Sequence, residues 1–204
     1  RGTRRIIFCK GDGEAGLGDG QIVTMSDEVI ERRSKEILFQ NGKSFWFASL
    51  LLSKKSSRDA VILYAFCRLL DDWADGKDDA GPKKLADLVD FFNSSSGEED
   101  DLIDQVAFIK SFADEEKTLT VEFLKLGLSR PILLQLLKGL QRDTERALVE
   151  EQSELIVYAY RVAGTVGLFM AQVLGADSDK AKHHAIDLGI AMQLTNVCRD
   201  VLED

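Results

Sequence analysis

Ser57-Arg-Asp-Ala-Val-Ile-Leu-Tyr-Ala-Phe-Cys-Arg-Leu-Leu-Asp-Asp-Trp-Ala-Asp-Gly76 is the stretch on which the fold turns. Residues 60–67 are apolar nearly all the way round, as in a helix enclosed by protein. Tyr64, Arg68, Asp72 and Asp75 follow at steps of four, four and three, one stripe along that helix, and Asp71 stacks on Asp75. These acids occupy the last turns, where the helix dipole already favours cations, so they repel each other and the dipole unless a cation is supplied. A site that breaks local preference in this way points to function. The bland alternative is a solvated helix end whose acids serve solubility. A calcium loop aligned on Gly76 would place Asp71 first and Asp75 fifth. Trp73 then takes the third position and Pro82 the twelfth, so two ligands are lacking.

Outward from this helix the helical period continues. Ser26 with Asp27 and Glu28 marks the start of a helix that Gly42 stops. Ser56 or Ser57 can cap the long helix, which runs to Gly76. Pro82 opens a short amphipathic segment ending near Phe92, and residues 93–101 form a solvated loop. Ser129 with Pro131 begins a helix through about Val149, Ser153 begins one ending at Gly175, and Ser178 begins one still running at Asp204. No stretch alternates long enough for a strand. We therefore expect a flexible tail over residues 1–25 and one all-α domain over residues 26–204. In the tail, Gly11-Asp-Gly13-Glu-Ala-Gly16 spells a dinucleotide fingerprint. No helix pattern follows it, and Asp12 and Glu14 would repel a pyrophosphate.

The 204 residues are 45% hydrophobic and 30% charged, the mixture of a soluble globular chain. Lys+Arg 26 against Asp+Glu 35 leaves a net charge of −9, which excludes a nucleic-acid footprint and predicts no electrostatic docking on an anionic membrane. Cys9, Cys67 and Cys198 are odd in number and widely spaced, so a reducing cytoplasm is expected, with neither disulfides nor zinc. Residues 155–176 are the most apolar run, but Arg161 interrupts it, and a buried helix is expected there rather than a membrane span.

A second acidic cluster lies at residues 191–204. Asn196, Asp200 and Asp204 are four apart on one helical face, with Gln193 close to it and Arg199 beside it. Two facing carboxylate helices can hold Mg²⁺, which takes oxygen ligands, keeps several waters and shares a phosphorylated substrate. Mg²⁺ on a diphosphate stabilises it as a leaving group.

With both clusters in view, the chain resembles the squalene and phytoene synthases from Gly42 to Asp204. Gly42-Lys-Ser-Phe45 is similar to the family's opening motif, and Leu63-Tyr-Ala-Phe-Cys-Arg68 with Asp71-Asp-Trp-Ala-Asp75 to its first aspartate-rich motif. Tyr158-Ala-Tyr-Arg-Val-Ala-Gly-Thr-Val-Gly167 is similar to its tyrosine and glycine helix, and Gln193-Leu-Thr-Asn196 with Arg199-Asp-Val-Leu-Glu-Asp204 to its second aspartate-rich motif, with Leu202 where glycine is usual. The resemblance implies an all-α isoprenoid-synthase bundle with a central pocket, a family that continues beyond Asp204 through further helices. On that basis we expect the domain to be C-terminally incomplete. It implies that Asp71, Asp75, Asn196, Asp200 and Asp204 bind Mg²⁺, with Mn²⁺ as a substitute and Asp72 in support. It further implies that Lys43, Ser44, Phe45, Tyr64, Arg68, Gln193 and Arg199 contact prenyl diphosphates. Tyr158 faces the reaction centre in such enzymes; a core tyrosine with a satisfied hydroxyl is the other reading.

The implied reaction is head-to-head condensation of two prenyl diphosphates, with two geranylgeranyl diphosphates giving phytoene as the expected case. Squalene or dehydrosqualene synthesis from farnesyl diphosphate is the alternative, and a non-catalytic helical lipid- or partner-binding protein is the alternative from another class. Phe45 and Ser49 share a helix face, so Ser49 would leave room for a longer tail. Greasy substrates imply peripheral membrane contact through apolar surface, by a monomer or weak dimer. Gly164 and Gly167 are expected at a close helix contact. His183 and His184 are expected at the surface, and Cys67 and Cys198 as small buried residues.

Overall fold

A computed structural model gives the fold and describes residues 27–94, 103, 105, 106, 109–144 and 149–203; among these there is no strand. Ser26 and the tail over residues 1–25 lie outside the described residues, as do residues 95–101 of the loop expected over 93–101. The elements are α1 (Asp27–Asn41), α2 (Lys43–Ser49), α3 (Lys54–Ala74), α4 (Gly81–Ser94), α5 (Asp114–Leu124), α6 (Arg130–Thr144), α7 (Gln152–Ala159), α8 (Thr165–Val173) and α9 (Asp179–Glu203). A π turn over Tyr160–Gly164 joins α7 to α8 without breaking the helix.

The apolar stretch of α3 is enclosed as its composition requires. This helix packs against α1, α2, α4, α5, α6 and α8, and its Ala60, Val61, Ile62, Leu63, Ala65 and Phe66 are buried. Phe66 stacks on Phe123 of α5 at 4.0 Å between ring centroids, and Phe123 meets Phe169 of α8 edge-on at 5.9 Å. Such aromatic pairs add roughly 0.5–1.5 kcal/mol beyond their buried area.

Several boundaries differ from expectation. The hydroxyl capping α3 is that of Ser53, which accepts from the Ser56 amide at 3.2 Å, not that of Ser56 or Ser57. Lys54 and Lys55 are good helix formers and carry the helix one turn further back. The first helical motif after Gly42 is a separate helix, α2. α5 was not foreseen: Ala113 has no capping hydroxyl, and its amide instead donates to the Glu116 carboxylate at 2.7 Å. α6 ends at Thr144, and Val149 is not helical. α7 starts at Gln152, with no side-chain cap from Ser153, whereas Ser178 does cap α9, accepting from the Ala181 amide at 3.2 Å.

The acidic end of α3 is fastened from below. Gly76 turns the chain with φ 69°, a left-handed conformation that costs glycine little. Lys84 of α4 is buried, and its Nζ donates to Asp78 at 2.6 Å and to Glu116 of α5 at 2.7 Å. Trp73 Nε1 donates to the same Glu116 at 3.2 Å, and the Lys84 ammonium lies 5.6 Å from the Trp73 ring. Each polar group enclosed here is therefore partnered, as burial demands.

Helix α9 packs on α7, the π turn and α8. Gly167 faces the backbone carbonyl of Ala185, and Gly189 faces that of Ala163, so that a Cβ at either glycine would strike main chain. The expected close helix contact thus involves both Gly164 and Gly167, with Gly189 answering from α9, where a Cβ would also come within 2.9 Å of the Gly164 Cα. Residues 152–173 are long and apolar enough to cross a membrane by composition, and they are only partly buried, not the wholly enclosed helix expected. Ile156 and Val157 face outward because α6 and α9 cover only the other sides of this helix.

Candidate active site

One cavity of about 340 Å³ opens between α1, α2, α3, α6, the Gln152–Val173 helix and α9, in the size range of small-molecule clefts. Its wall is mostly apolar: Leu38, Ala60, Leu63, Leu136 and Leu140 among others. Its polar lining comes from Tyr64, Arg68 and Asp71 of α3, Asp143 of α6, Tyr158 of α7, Gln193 of α9 and Ser49 of α2. Thus, among the described residues, the charge of an apolar chamber gathers at one end.

At that end the α3 stripe forms a cluster. One oxygen each from Asp71, Asp72 and Asp75 lies within 4.8 Å of the others. Arg68 bridges two of them, Nη1 to Asp71 at 2.8 Å and Nη2 to Asp72 at 2.9 Å. Lys77, just past the Gly76 turn, reaches Asp72 at 2.7 Å and Asp75 at 3.1 Å. The cation that these crowded acids need is therefore partly supplied from within. Burial, reinforced by Asp75 and opposed by Arg68 and Lys77, holds the Asp71 carboxyl above the usual carboxylate range. Burial would lower the Lys77 ammonium, but its hydrogen bonds to Asp72 and Asp75 hold it above its ordinary value. The donor set is all hard oxygen, the chemistry that suits Mg²⁺, so the residues fit such an ion.

Tyr64 stands one turn before Arg68, its ring 6.1 Å from that of Phe45. Burial pushes its phenol up, against the pull of Arg68. Phe45 and Ser49 both line the cavity, and the Ser49 hydroxyl donates to the Trp46 carbonyl at 2.7 Å. Lys43 and Ser44 are exposed on the first turn of α2. Cys67 is half-buried in the cavity wall, and burial pushes its thiol up to about 12. Cys198 is exposed, against expectation, since α9 turns that face to water. His183 and His184 are exposed as expected.

Tyr158 lines the cavity, not the core, and its hydroxyl donates to Asp143 Oδ2 at 3.1 Å. Asp143 is open to water at the rim. Burial nevertheless leads in raising its carboxyl to about 6, with the Tyr158 hydrogen bond opposing and Asp75 and Asp71 reinforcing. Burial, then Asp143, pushes the Tyr158 phenol upward. Asp143 is the site residue that sequence reasoning missed: no motif surrounds it, and only its meeting with Tyr158 marks it.

Of the second cluster, Gln193 lines the cavity, while Asn196 and Arg199 are exposed further along α9. The Asp200 side chain and the whole of Asp204 lie outside the described residues.

Comparison with known proteins follows the same lines. The squalene/phytoene synthase family model matches residues 38–204. The chain is 33% identical over 186 residues to the 15-cis-phytoene synthase of Paracoccus sp. (strain N81106 / MBIC 01143), covering 88% of this chain and 58% of that one. It is 32% identical over 168 residues to the phytoene synthase of Thermus thermophilus, covering 82% and 54%. It thus spans little more than half the length of these relatives. A crystal structure of a dehydrosqualene synthase in complex with ligand superposes with a TM-score of 0.65 at 29% identity, covering 87% of this chain and 59% of that one. A squalene synthase from Alicyclobacillus acidocaldarius, 16% identical, shares the fold with a TM-score of 0.56, over 86% of this chain and 62% of its own. From residue 38 onward, then, sequence and fold agree: the chain belongs to the squalene/phytoene synthase family.

Proposed function

We propose that this chain belongs to the catalytic domain of a Mg²⁺-dependent prenyltransferase that joins two prenyl diphosphates head to head. The observation that carries it is the gathering of charge in the cavity: Arg68, Asp71, Asp143 and Tyr158 meet beside a wall that is otherwise largely apolar. A prenyl diphosphate has the same division. Asp71, Asp72 and Asp75 would hold the ion, with Asn196, Asp200 and Asp204 as the second set of oxygen ligands. When bound, Mg²⁺ neutralises charge building on the departing diphosphate. The Arg68 fork and the Lys43 and Ser44 donors are suited to diphosphate oxygens. The apolar wall keeps water from the allylic cation left behind. That cation alkylates the double bond of the second molecule to give a cyclopropyl intermediate, and a second ionisation, rearrangement and proton loss complete the product. The Tyr158 hydroxyl stands beside the acidic end, and by exchanging Asp143 for a leaving oxygen it would donate its one hydrogen there.

We favour the twenty-carbon substrate and phytoene as product, because Ser49 puts a small side chain in the cavity wall. The fifteen-carbon alternative is favoured by the likeness to a dehydrosqualene synthase. The test of the whole reading is diphosphate release by the full-length protein from geranylgeranyl diphosphate, with and without Mg²⁺. Release that needs the ion is expected; no release would remove the enzyme and leave a lipid-binding bundle.

A further inference from the structure

Phe39, Phe47, Leu50 and Leu51 stand 58, 67, 61 and 77% exposed. Phe47 is on α2, Leu50 and Leu51 are on the turn that follows, and Phe39 joins them through Trp46, whose ring it meets edge-on at 5.6 Å. The turn is ordered: the Leu50 and Leu51 amides donate to the carbonyls of Phe47 and Ala48 at 3.2 and 3.1 Å. The other side of this segment is cavity wall, made by Phe45, Ala48, Ser49 and Leu52. Local charge departs from the whole: in a chain of net charge −9, residues 42–57 contain Lys43, Lys54 and Lys55 and no acid. All three lysines are exposed.

We propose that α2 and its following turn are a membrane-docking element for an anionic lipid bilayer. Phe47, Leu50 and Leu51 enter the acyl boundary, while Lys43, Lys54 and Lys55 meet the headgroups. Apolar and aromatic side chains flanked by lysine are the composition of interfacial segments, and the lysines complement anionic lipid where the rest of the protein is repelled. Docking in this way sets the cavity wall against the bilayer, where a prenyl tail would be dissolved; that purpose rests on the proposed prenyl substrate.

The experiment uses the full-length protein and vesicles of phosphatidylcholine and phosphatidylglycerol with brominated acyl chains. Trp46 lies at the patch and Trp73 is buried. Tryptophan emission should be quenched by these vesicles, and Trp46→Phe should remove the quenchable part. Phe47→Ser with Leu51→Ser should lower vesicle partitioning by about tenfold or more. The same double variant should release diphosphate from micellar substrate at the parental rate. Four outcomes overturn the proposal: no quenching, unchanged partitioning of the double variant, binding that vanishes at about 0.5 M salt, or a patch already covered by a second copy or by the protein's own chain, seen as Trp46 shielded from acrylamide without lipid. Failed diphosphate release with intact docking would instead overturn the prenyl reading alone.

Discussion

Tyr158 donates its phenolic hydrogen to Asp143 over 3.1 Å, tying α7 to the end of α6 at the charged rim of the cavity. Asp143 ionises at about 6 in the fold, above the roughly 3.9 of an unfolded aspartate. The folded protein therefore holds a proton that the unfolded chain has already lost between those values. Its contribution to stability is complete below about pH 4 and is lost as the pH rises through about 6. Asp143→Asn cannot titrate. Its melting temperature relative to the parent should climb from pH 4 to pH 7, measured by thermal unfolding across that range. A difference that stays flat would mean that Asp143 titrates normally.

Asp71→Asn keeps size and removes a charged oxygen ligand, and Asp200→Asn does the same on α9. Each should lower diphosphate release at least about a hundredfold while far-ultraviolet circular dichroism is unchanged. Normal turnover by either variant would show that its helix face is misassigned.

Lys77 competes with any metal for Asp72 and Asp75, holding them at 2.7 and 3.1 Å. Half-exposed ion pairs are weak, worth about 0.2–1 kcal/mol. Lys77→Met should therefore tighten Mg²⁺ binding roughly two- to fivefold in calorimetric titration. Weaker binding would mean that Lys77 supports the site instead.

The α3 half of the site was legible because helical spacing converts directly into a face: Tyr64, Arg68, Asp71, Asp72 and Asp75 all lie where steps of three and four put them. Lys77 was not, because it sits beyond Gly76, where the helical count no longer applies. Asp143 was invisible for a stronger reason. Its neighbours Arg142 and Thr144 signal nothing, and its chemistry arises only where α6 meets Tyr158. α5 did announce itself through Asp114, Glu115 and Glu116, an acidic first turn that favours a helix start, but without a capping hydroxyl that signal was passed over. Cys198 was misjudged because a cysteine next to a motif is buried only if its helix turns that way.

Ser49→Phe would push a ring into the cavity from α2. In the full-length protein, offered both diphosphates, it should shift the turnover ratio towards the fifteen-carbon substrate by about tenfold or more. An unchanged preference would sink Ser49 as the determinant of tail length.

Gly189→Ala would drive a Cβ into the Ala163 carbonyl. Overpacking against main chain should cost about 1–3 kcal/mol in denaturant unfolding. A neutral result would show that α9 can move away from the π turn.

The π turn over Tyr160–Gly164 also has a consequence for phase. Tyr158, Val162, Val166 and Met170 all line the cavity, one every fourth residue. In a regular α-helix a step of four overshoots a full turn by about 40°, so after three steps Met170 would point about a third of a circle away from Tyr158. Five residues wound more loosely take part of that rotation back. One helix thus keeps four side chains facing the chamber over somewhat less than about 18 Å. They grade from a phenol beside the carboxylates to a thioether at the far end, so under the proposed function this single helix would sort an amphiphile head from tail.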